Sequence, residues 1–239
     1  GVTIAIGRHL TSLLHNIAQQ CPDLALGLDH DVLGNGDLDP SLLLVADFLR
    51  ISRIPEQKDR RNHLEARRIL YRHAMRFPSE RLVLGDMRLD GRNPVATVAT
   101  ALGAFPLFTG STSRLAPGQL DWMRGILDWY FALSRGINFY ERFYLLHGTE
   151  DARAGHWDGY ARLSRRGEGF AAVFRNGAAS SMERFGIPGL DTAAQYRIDS
   201  IIRDRALGIF PGSDLVHGFP FELAHEDGAD LIEIRRVQT

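Results

Sequence analysis

Apolar residues recur at helical spacing through the first part of the chain. From His9 to Gln20, leucine and isoleucine occupy the i, i+3, i+4 and i+7 positions that form one face of an amphipathic helix. The same spacing predicts three further helices, at residues 65–76, 94–102 and 117–133. Asp39-Pro40 is typical of a helix start and predicts another helix from residue 40. Between these helices, short apolar runs predict buried strands at residues 24–28, 48–51 and 82–84.

Strands that alternate with helices are typical of a parallel sheet whose strands are joined by crossover helices. Beyond about residue 148 the pattern changes to short alternating runs, which are typical of antiparallel strands. These runs lie at residues 160–163, 170–174, 196–202 and 230–234. The sequence therefore predicts an α/β fold with a region of βα repeats at 1–148 and a small antiparallel, β-sandwich-like domain at 149–239. The aromatic stretches 129–131 and 139–144 are predicted to be core where the two units meet.

Composition and charge argue against several classes of function. The chain has 239 residues, 44% of them hydrophobic, and its formal net charge is −1. This charge predicts binding neither to nucleic acid nor to an anionic membrane, and no apolar run approaches the ~18 residues of a membrane span. No signal-peptide pattern is visible at the start, and the compartment is not predicted.

The single cysteine, Cys21, excludes an internal disulfide and is predicted to be packed. The basic run from Arg50 to Arg72 is predicted to be a solvated helix face.

The sequence carries no fingerprint of a bound cofactor or metal. It contains neither the G-x-G-x-x-G turn of dinucleotide-binding folds nor a Walker loop. The segment from Asp31 resembles half of an EF-hand loop, with Asn35 and Asp37 as oxygen donors. Calcium also needs an oxygen ligand at the third position and a bidentate acid at the twelfth, and these positions hold Leu33 and Leu42. We therefore expect no metal and no cofactor.

Polar residues follow the predicted strands directly, at the edge where parallel sheets tend to bind ligands. The candidate substrate-binding residues are Asp29, Asp31, Ser52, Arg53, Asp86 and Arg88. Asp29 and Asp86 are the candidates for catalysis, because two carboxyl groups together can cleave a glycosidic bond. Asp and Arg can also bind sugar hydroxyls through charge-assisted hydrogen bonds. The alternative is that these residues are loop charges, helix caps or mutual salt bridges that bind nothing.

The order of elements and short motifs also points to a known family. The loop Gly34-Asn35-Gly36-Asp37-Leu38-Asp39-Pro40 leads into a helix and then a strand that ends in Ile51-Ser52-Arg53. The stretches Leu84-Gly85-Asp86, Phe139-Tyr140-Glu141-Arg142 and Ala172-Val173-Phe174-Arg175 follow in the same order as in that family. The chain resembles the later part of the catalytic barrel, and the β domain after it, in α-galactosidases of the melibiase type (glycoside hydrolase clan D).

The resemblance implies part of a (β/α)8 barrel followed by an antiparallel β domain, and a retaining mechanism with two carboxylates. The chain departs from the family at the general acid, which falls on Arg53, and at a loop arginine, which falls on Asp37. Asp39 and Ser52 carry over unchanged, and the family's nucleophile strand would lie before residue 1. Arginine does not release its proton at working pH, so the chain by itself is expected to be inactive or nearly so.

Three functions remain open at this point. The chain is a fragment or a divergent member of the α-galactosidase-like glycoside hydrolases, or a non-catalytic carbohydrate-binding or structural remnant of that fold. It could also be an unrelated α/β protein that binds a small anion through Arg53 and Arg88. The expected partners are a carbohydrate ligand and a second half of the barrel, because an open half sheet exposes strand edges. That second half would be a missing N-terminal segment, another chain or a homodimer partner.

Overall fold

The fold is a mixed α/β arrangement in a computed structural model that describes residues 2–29, 45–51, 62–90, 93–146 and 151–237. Five α-helices lie in these ranges: α1 Val2–Gln20, α2 Asn62–Ala74, α3 Pro94–Ala101, α4 Gln119–Gly136 and α5 Gly212–Gly218. The start of α3 shows how local chemistry sets a boundary. The Asn93 side chain accepts a hydrogen bond from the Ala96 amide at 3.0 Å, and Pro94 opens the helix without an unsatisfied N–H.

Four parallel strands form the first sheet. They are β1 Gly27–Asp29, β2 Phe48–Ile51, β3 Leu82–Arg88 and β4 Phe105–Thr109, and they lie side by side in chain order. The register aligns Asp29 with Arg50 and Arg50 with Val83, and Val83 in turn with Phe105. The pairing of β3 with β4 is interrupted between Leu84 and Met87, where the register shifts.

The two faces of this sheet differ in burial. One face, which we call the covered face, carries Leu28, Leu49, Ile51, Leu82 and Leu84, all buried. Helices α2 and α3 contact β3. The other, the open face, carries Gly27, Asp29, Phe48, Arg50, Val83, Phe105 and Leu107. Phe105 and Leu107 are 50% and 42% exposed, so the open face is only partly covered.

The second sheet is antiparallel and has six strands in the order β10-β9-β12-β7-β6-β5. Its strands are β5 Arg142–Leu145, β6 Asp158–Leu163, β7 Gly169–Phe174, β9 Gln195–Ser200, β10 Arg205–Pro211 and β12 Ala229–Arg236. A two-stranded ribbon of β8 Met182–Phe185 and β11 Phe219–Glu222 packs beside it with α5. Two hydrophobic clusters form: one is shared by both sheets and the other lies between the antiparallel sheet and the ribbon.

Aromatic side chains fill the space between the two sheets, as the sequence predicts. Tyr130 of α4 and Phe139 are fully buried. Each contacts Phe170 of β7, with ring centroids 6.0 and 5.2 Å apart. Edge-to-face contacts of this kind contribute beyond the area that they bury. The prediction that these stretches form core between the two sheets is therefore confirmed for Tyr130 and Phe139, whereas Phe131 remains 39% exposed.

A buried ion pair joins α2 to the antiparallel sheet. The Arg67 guanidinium donates to both Asp158 carboxylate oxygens, at 2.9 and 3.2 Å, and both side chains are fully buried. Asn176 accepts from Arg67 at 2.6 Å, and the Tyr71 hydroxyl donates to Asp158 at 2.6 Å. Burial raises the pKa of Tyr71 well above its ordinary value, which keeps the proton on this donor. The prediction of a solvated basic helix face is wrong for Arg67, because this side chain is buried and its charge is neutralised by Asp158 of the antiparallel sheet.

Several other expectations require correction. Cys21 is exposed at the end of α1, not packed. Strand β3 continues to Arg88 through the irregular pairing at Gly85 and Asp86, so the predicted stop after Leu84 is wrong. No predicted element corresponds to β4, β5, β8, β10, β11 or α5. The helix expected from residue 40 lies outside the described residues. Among the helices that the structure describes, none is long and apolar enough to span a membrane.

Candidate functional site

The candidate site lies at the C-terminal edge of the parallel sheet. Asp29 is the last residue of β1 and is aligned with Arg50 of β2. Because aligned residues of neighbouring strands project to the same side of a sheet, the carboxylate and the guanidinium share the open face. Both side chains are half-buried. Toward a polar ligand, the carboxylate can accept hydrogen bonds and the guanidinium can donate them. Because both groups carry a charge, these hydrogen bonds are stronger than those between neutral groups.

Two glycines make room for this arrangement. A Cβ atom on Gly85 would come within 2.9 Å of Arg50 Nε, so the arginine lies directly over a residue with no side chain. On the other side, a Cβ on Gly27 would be 2.2 Å from the Phe48 ring. Strand β2 thus lays Phe48 and Arg50 over its two neighbours, and any larger residue at Gly27 or Gly85 would displace them. The open face carries an aromatic ring over β1, a guanidinium over β3 and the Asp29 carboxylate at the end of β1.

A salt bridge occupies the neighbouring strand end. Arg88, the last residue of β3, donates from Nε and Nη2 to the two Asp90 oxygens, both at 3.1 Å. Arg114 Nη1 lies 3.8 Å from the same carboxylate, whose side chain is only 3% exposed. The hydrogen bonds from Arg88 hold the pKa of Asp90 below its ordinary value of 3.8. Gly110, at φ +106°, allows close packing here, since a Cβ would meet Asp90 Oδ1 at 2.8 Å.

Of the residues predicted for the site, the structure describes the side chains of two, Asp29 and Arg88. Asp31, Ser52 and Arg53 lie outside the described residues. Asp86 falls within β3, at the irregular pairing, and only its backbone is described. The strands that carry them are neighbours, since β1, β2 and β3 pair in order. Asp29 and Asp86 therefore lie on strands two apart, about 10 Å in the hydrogen-bonding direction.

Sequence reasoning missed Arg50. The signal was present, because Phe48 and Arg50 alternate with Leu49 and Ile51, which are buried on the covered face. Arg50 is hidden because three of the four residues at 48–51 are apolar, so the run has the composition of a fully buried strand. For metals, the described part of the chain offers no group of three or more His, Cys, Asp or Glu side chains that could hold an ion.

Comparison with solved structures places this geometry in a known fold. The α-galactosidase AgaA of glycoside hydrolase family 36 from Geobacillus stearothermophilus matches with a TM-score of 0.71 over 95% of this chain, at 16% identity. An α-galactosidase from Lactobacillus brevis matches with a TM-score of 0.70 over 95% of this chain, at 14% identity. The chain has the fold of part of a family 36 α-galactosidase. The resemblance predicted from the sequence is confirmed at this level.

The same comparisons limit how far the likeness extends. The chain spans 30% of the length of AgaA and 31% of the Lactobacillus brevis enzyme. A family 27 β-L-arabinopyranosidase from Geobacillus stearothermophilus matches less closely, with a TM-score of 0.53 and 12% identity over 81% of this chain and 46% of its own. No protein-family model matches the sequence. No curated protein matches it either. Fold, and not sequence, relates this chain to the family 36 α-galactosidases.

Proposed function

We propose that the C-terminal edge of the parallel sheet binds an α-linked galactoside. The observation that carries the proposal is the alignment of Asp29 with Arg50 on the open face of the sheet. In sheets of this class, ligands bind just beyond the C-terminal ends of the strands. The likeness to family 36 α-galactosidases supports a sugar as the ligand, since a variant of AgaA has been crystallised with raffinose.

The chemistry of the edge suits a sugar. The Asp29 carboxylate would accept hydrogen bonds from hydroxyl groups, and the Arg50 guanidinium would donate to their lone pairs. Phe48 offers an apolar surface for the C–H face of a pyranose ring, and the Phe48 ring can lie over Gly27 only because glycine has no side chain. A simple anion-binding function is disfavoured, because the Asp29 carboxylate shares the open face with Arg50 and would repel an anion, and Asp90 already holds Arg88.

The proposal includes the architecture around the site. We place residues 1–148 in a partial (β/α)8 barrel and residues 149–239 in a β-sandwich-like domain. Phe105 and Leu107 are exposed on the open face, whereas parallel sheets are normally covered on both faces. Their exposure supports the proposal that further strands of the barrel enclose this face. Those strands would come from another segment of a longer protein or from a second copy of this chain.

Binding of raffinose to the purified chain tests the proposal. We expect raffinose to raise the melting temperature of the wild type, and Asp29→Asn to weaken binding by about tenfold or more, because a charge-assisted hydrogen bond is lost. Asp23→Asn is the matched control, since Asp23 is exposed and lies six positions before Asp29. Isothermal titration calorimetry measures the affinities. Equal binding by the Asp29→Asn variant and the wild type would contradict the proposal, as would no binding by the wild type.

A further inference from the structure

A second groove lies away from the parallel sheet, on the unit that contains the β8–β11 ribbon. It encloses about 520 Å³ between the ribbon, α5 and the end of β10. Its apolar lining consists of Phe210, Phe219 and Pro220. Its polar lining consists of Arg184, Asp214 and His217. None of these residues belongs to the candidate site, and no sequence motif pointed to them.

The floor of the groove is aromatic and ordered by packing. The rings of Phe210 and Phe219 meet edge to face, with centroids 4.9 Å apart and planes 76° apart. Phe219 in turn contacts Phe221 at 5.0 Å, and both are buried. Phe210 is half-buried, so part of its ring remains accessible from the groove. An apolar floor with a small number of placed polar groups is typical of a small-molecule site.

Hydrogen bonds of the polar lining residues determine which of them can donate to a ligand and which can accept from it. Arg184 Nη2 donates to the Gly218 carbonyl at 3.1 Å, which anchors one end of the guanidinium and leaves its other N–H groups as donors. His217 Nδ1 lies 2.7 Å from the Ser213 carbonyl oxygen. A carbonyl oxygen can only accept, so Nδ1 donates in this hydrogen bond, and in the tautomer with its proton on Nδ1 the Nε2 atom is an acceptor. Asp214, exposed on α5, is a second acceptor.

The mixture of charges selects the chemical class of ligand. An anion would be attracted by Arg184 and repelled by Asp214, and a cation would meet the reverse. A neutral ligand rich in hydroxyl groups can donate to Asp214 and His217, accept from Arg184, and lay its C–H face on the phenylalanine floor. We infer that this groove is a second carbohydrate-binding site, specific for neutral pyranosides. It does not rest on the function proposed for the sheet edge, because no residue is shared.

Titration of the full chain followed by ¹H–¹⁵N NMR tests the inference. The probes are methyl α-D-galactoside and methyl β-D-glucoside, with D-glucuronate as the charged analogue. We expect at least one neutral glycoside to shift the amide signals of Asp214 and Gly218, and D-glucuronate to bind about tenfold more weakly because of Asp214. Asp214→Asn and His217→Gln should each weaken binding of the neutral glycoside by about tenfold. The controls are Asp121→Asn and His156→Gln, two changes at exposed residues outside the groove.

The outcomes separate this site from the sheet edge. The Asp29→Asn variant should retain the groove shifts, so loss of raffinose binding at the edge leaves the groove result standing. The inference is wrong if neither glycoside shifts the groove amides, or if the Asp214 and His217 variants bind as the wild type does. Equal or tighter binding of D-glucuronate would also overturn it, because the groove would then be an anion site. Melting curves confirm that the variants are folded before binding is compared.

Discussion

At the scale of single residues, the ion pair between Arg88 and Asp90 predicts a specific dependence of stability on pH. The Arg88 hydrogen bonds lower the pKa of Asp90 in the folded state below the ordinary value of 3.8. A lowered folded pKa means that the charged carboxylate stabilises the fold fully above that ordinary value. This contribution is lost as the pH falls through the folded pKa.

We expect the wild type to lose more stability than the Asp90→Asn variant between about pH 5 and pH 2, since only the wild type must protonate this carboxylate. Melting temperatures of the two proteins, measured by circular dichroism across this range, check the prediction. Asp121→Asn is the control, because Asp121 is 80% exposed. Parallel pH profiles for the wild type and the Asp90→Asn variant would show that the Arg88 contact contributes nothing in solution.

Arg53 leads to a prediction about catalysis, from sequence alone. It stands where the resemblance to melibiase-type α-galactosidases places the general acid, and arginine cannot give up its proton at working pH. General acid catalysis contributes roughly 10²–10⁴-fold. We therefore expect the purified chain to hydrolyse p-nitrophenyl α-galactoside slowly or not at all. Robust turnover that Asp29→Asn or Asp86→Asn abolishes would contradict this and identify those two residues as the working carboxylate pair.

At the scale of elements, the sequence predicts best where one period dominates. Strand β2 agrees with its prediction residue for residue, and α3 ends within one residue of it. Strand β3 was cut short because Gly85-Asp86 has the composition of a turn, whereas in the structure it is an irregularity inside a strand. Strand β4 was missed because its five residues include Pro106, and a proline within a short run argues against a strand.

The candidate site was predictable only in part, because local sequence pattern identifies some of its residues and not others. Asp29 was identified because it follows an apolar run, and parallel pairing brings such ends together. Arg50 needed the period-2 alternation within a strand of four residues, which is too short to stand out. Arg67 could not be assigned from local pattern at all. Its partner Asp158 lies 91 positions further along the chain, and only the packing of α2 on the second sheet brings them together.

At the scale of the whole molecule, the two proposed units share structure that couples their stability. One hydrophobic cluster includes Leu84 of the parallel sheet and Phe170 of the antiparallel sheet. Helix α3 contacts strands of both sheets. Fully buried Arg67 and Asp158 bind each other across the same junction. Neither unit can separate from the other without exposing apolar surface and an unpaired charge, both of which are costly.

We therefore expect the chain to unfold in one cooperative transition, even though it is proposed to contain two units. Arg67→Met should destabilise the whole chain by about 3–5 kcal/mol, because it leaves the Asp158 carboxylate buried without its countercharge. Arg67→Met combined with Asp158→Leu should recover much of this loss, since replacing both partners by apolar residues removes the uncompensated charge. Urea unfolding followed by tryptophan fluorescence and by far-ultraviolet circular dichroism should give coincident curves. Two separate transitions, with only the first shifted by Arg67→Met, would mean that the units fold independently and that the ion pair merely docks one against the other.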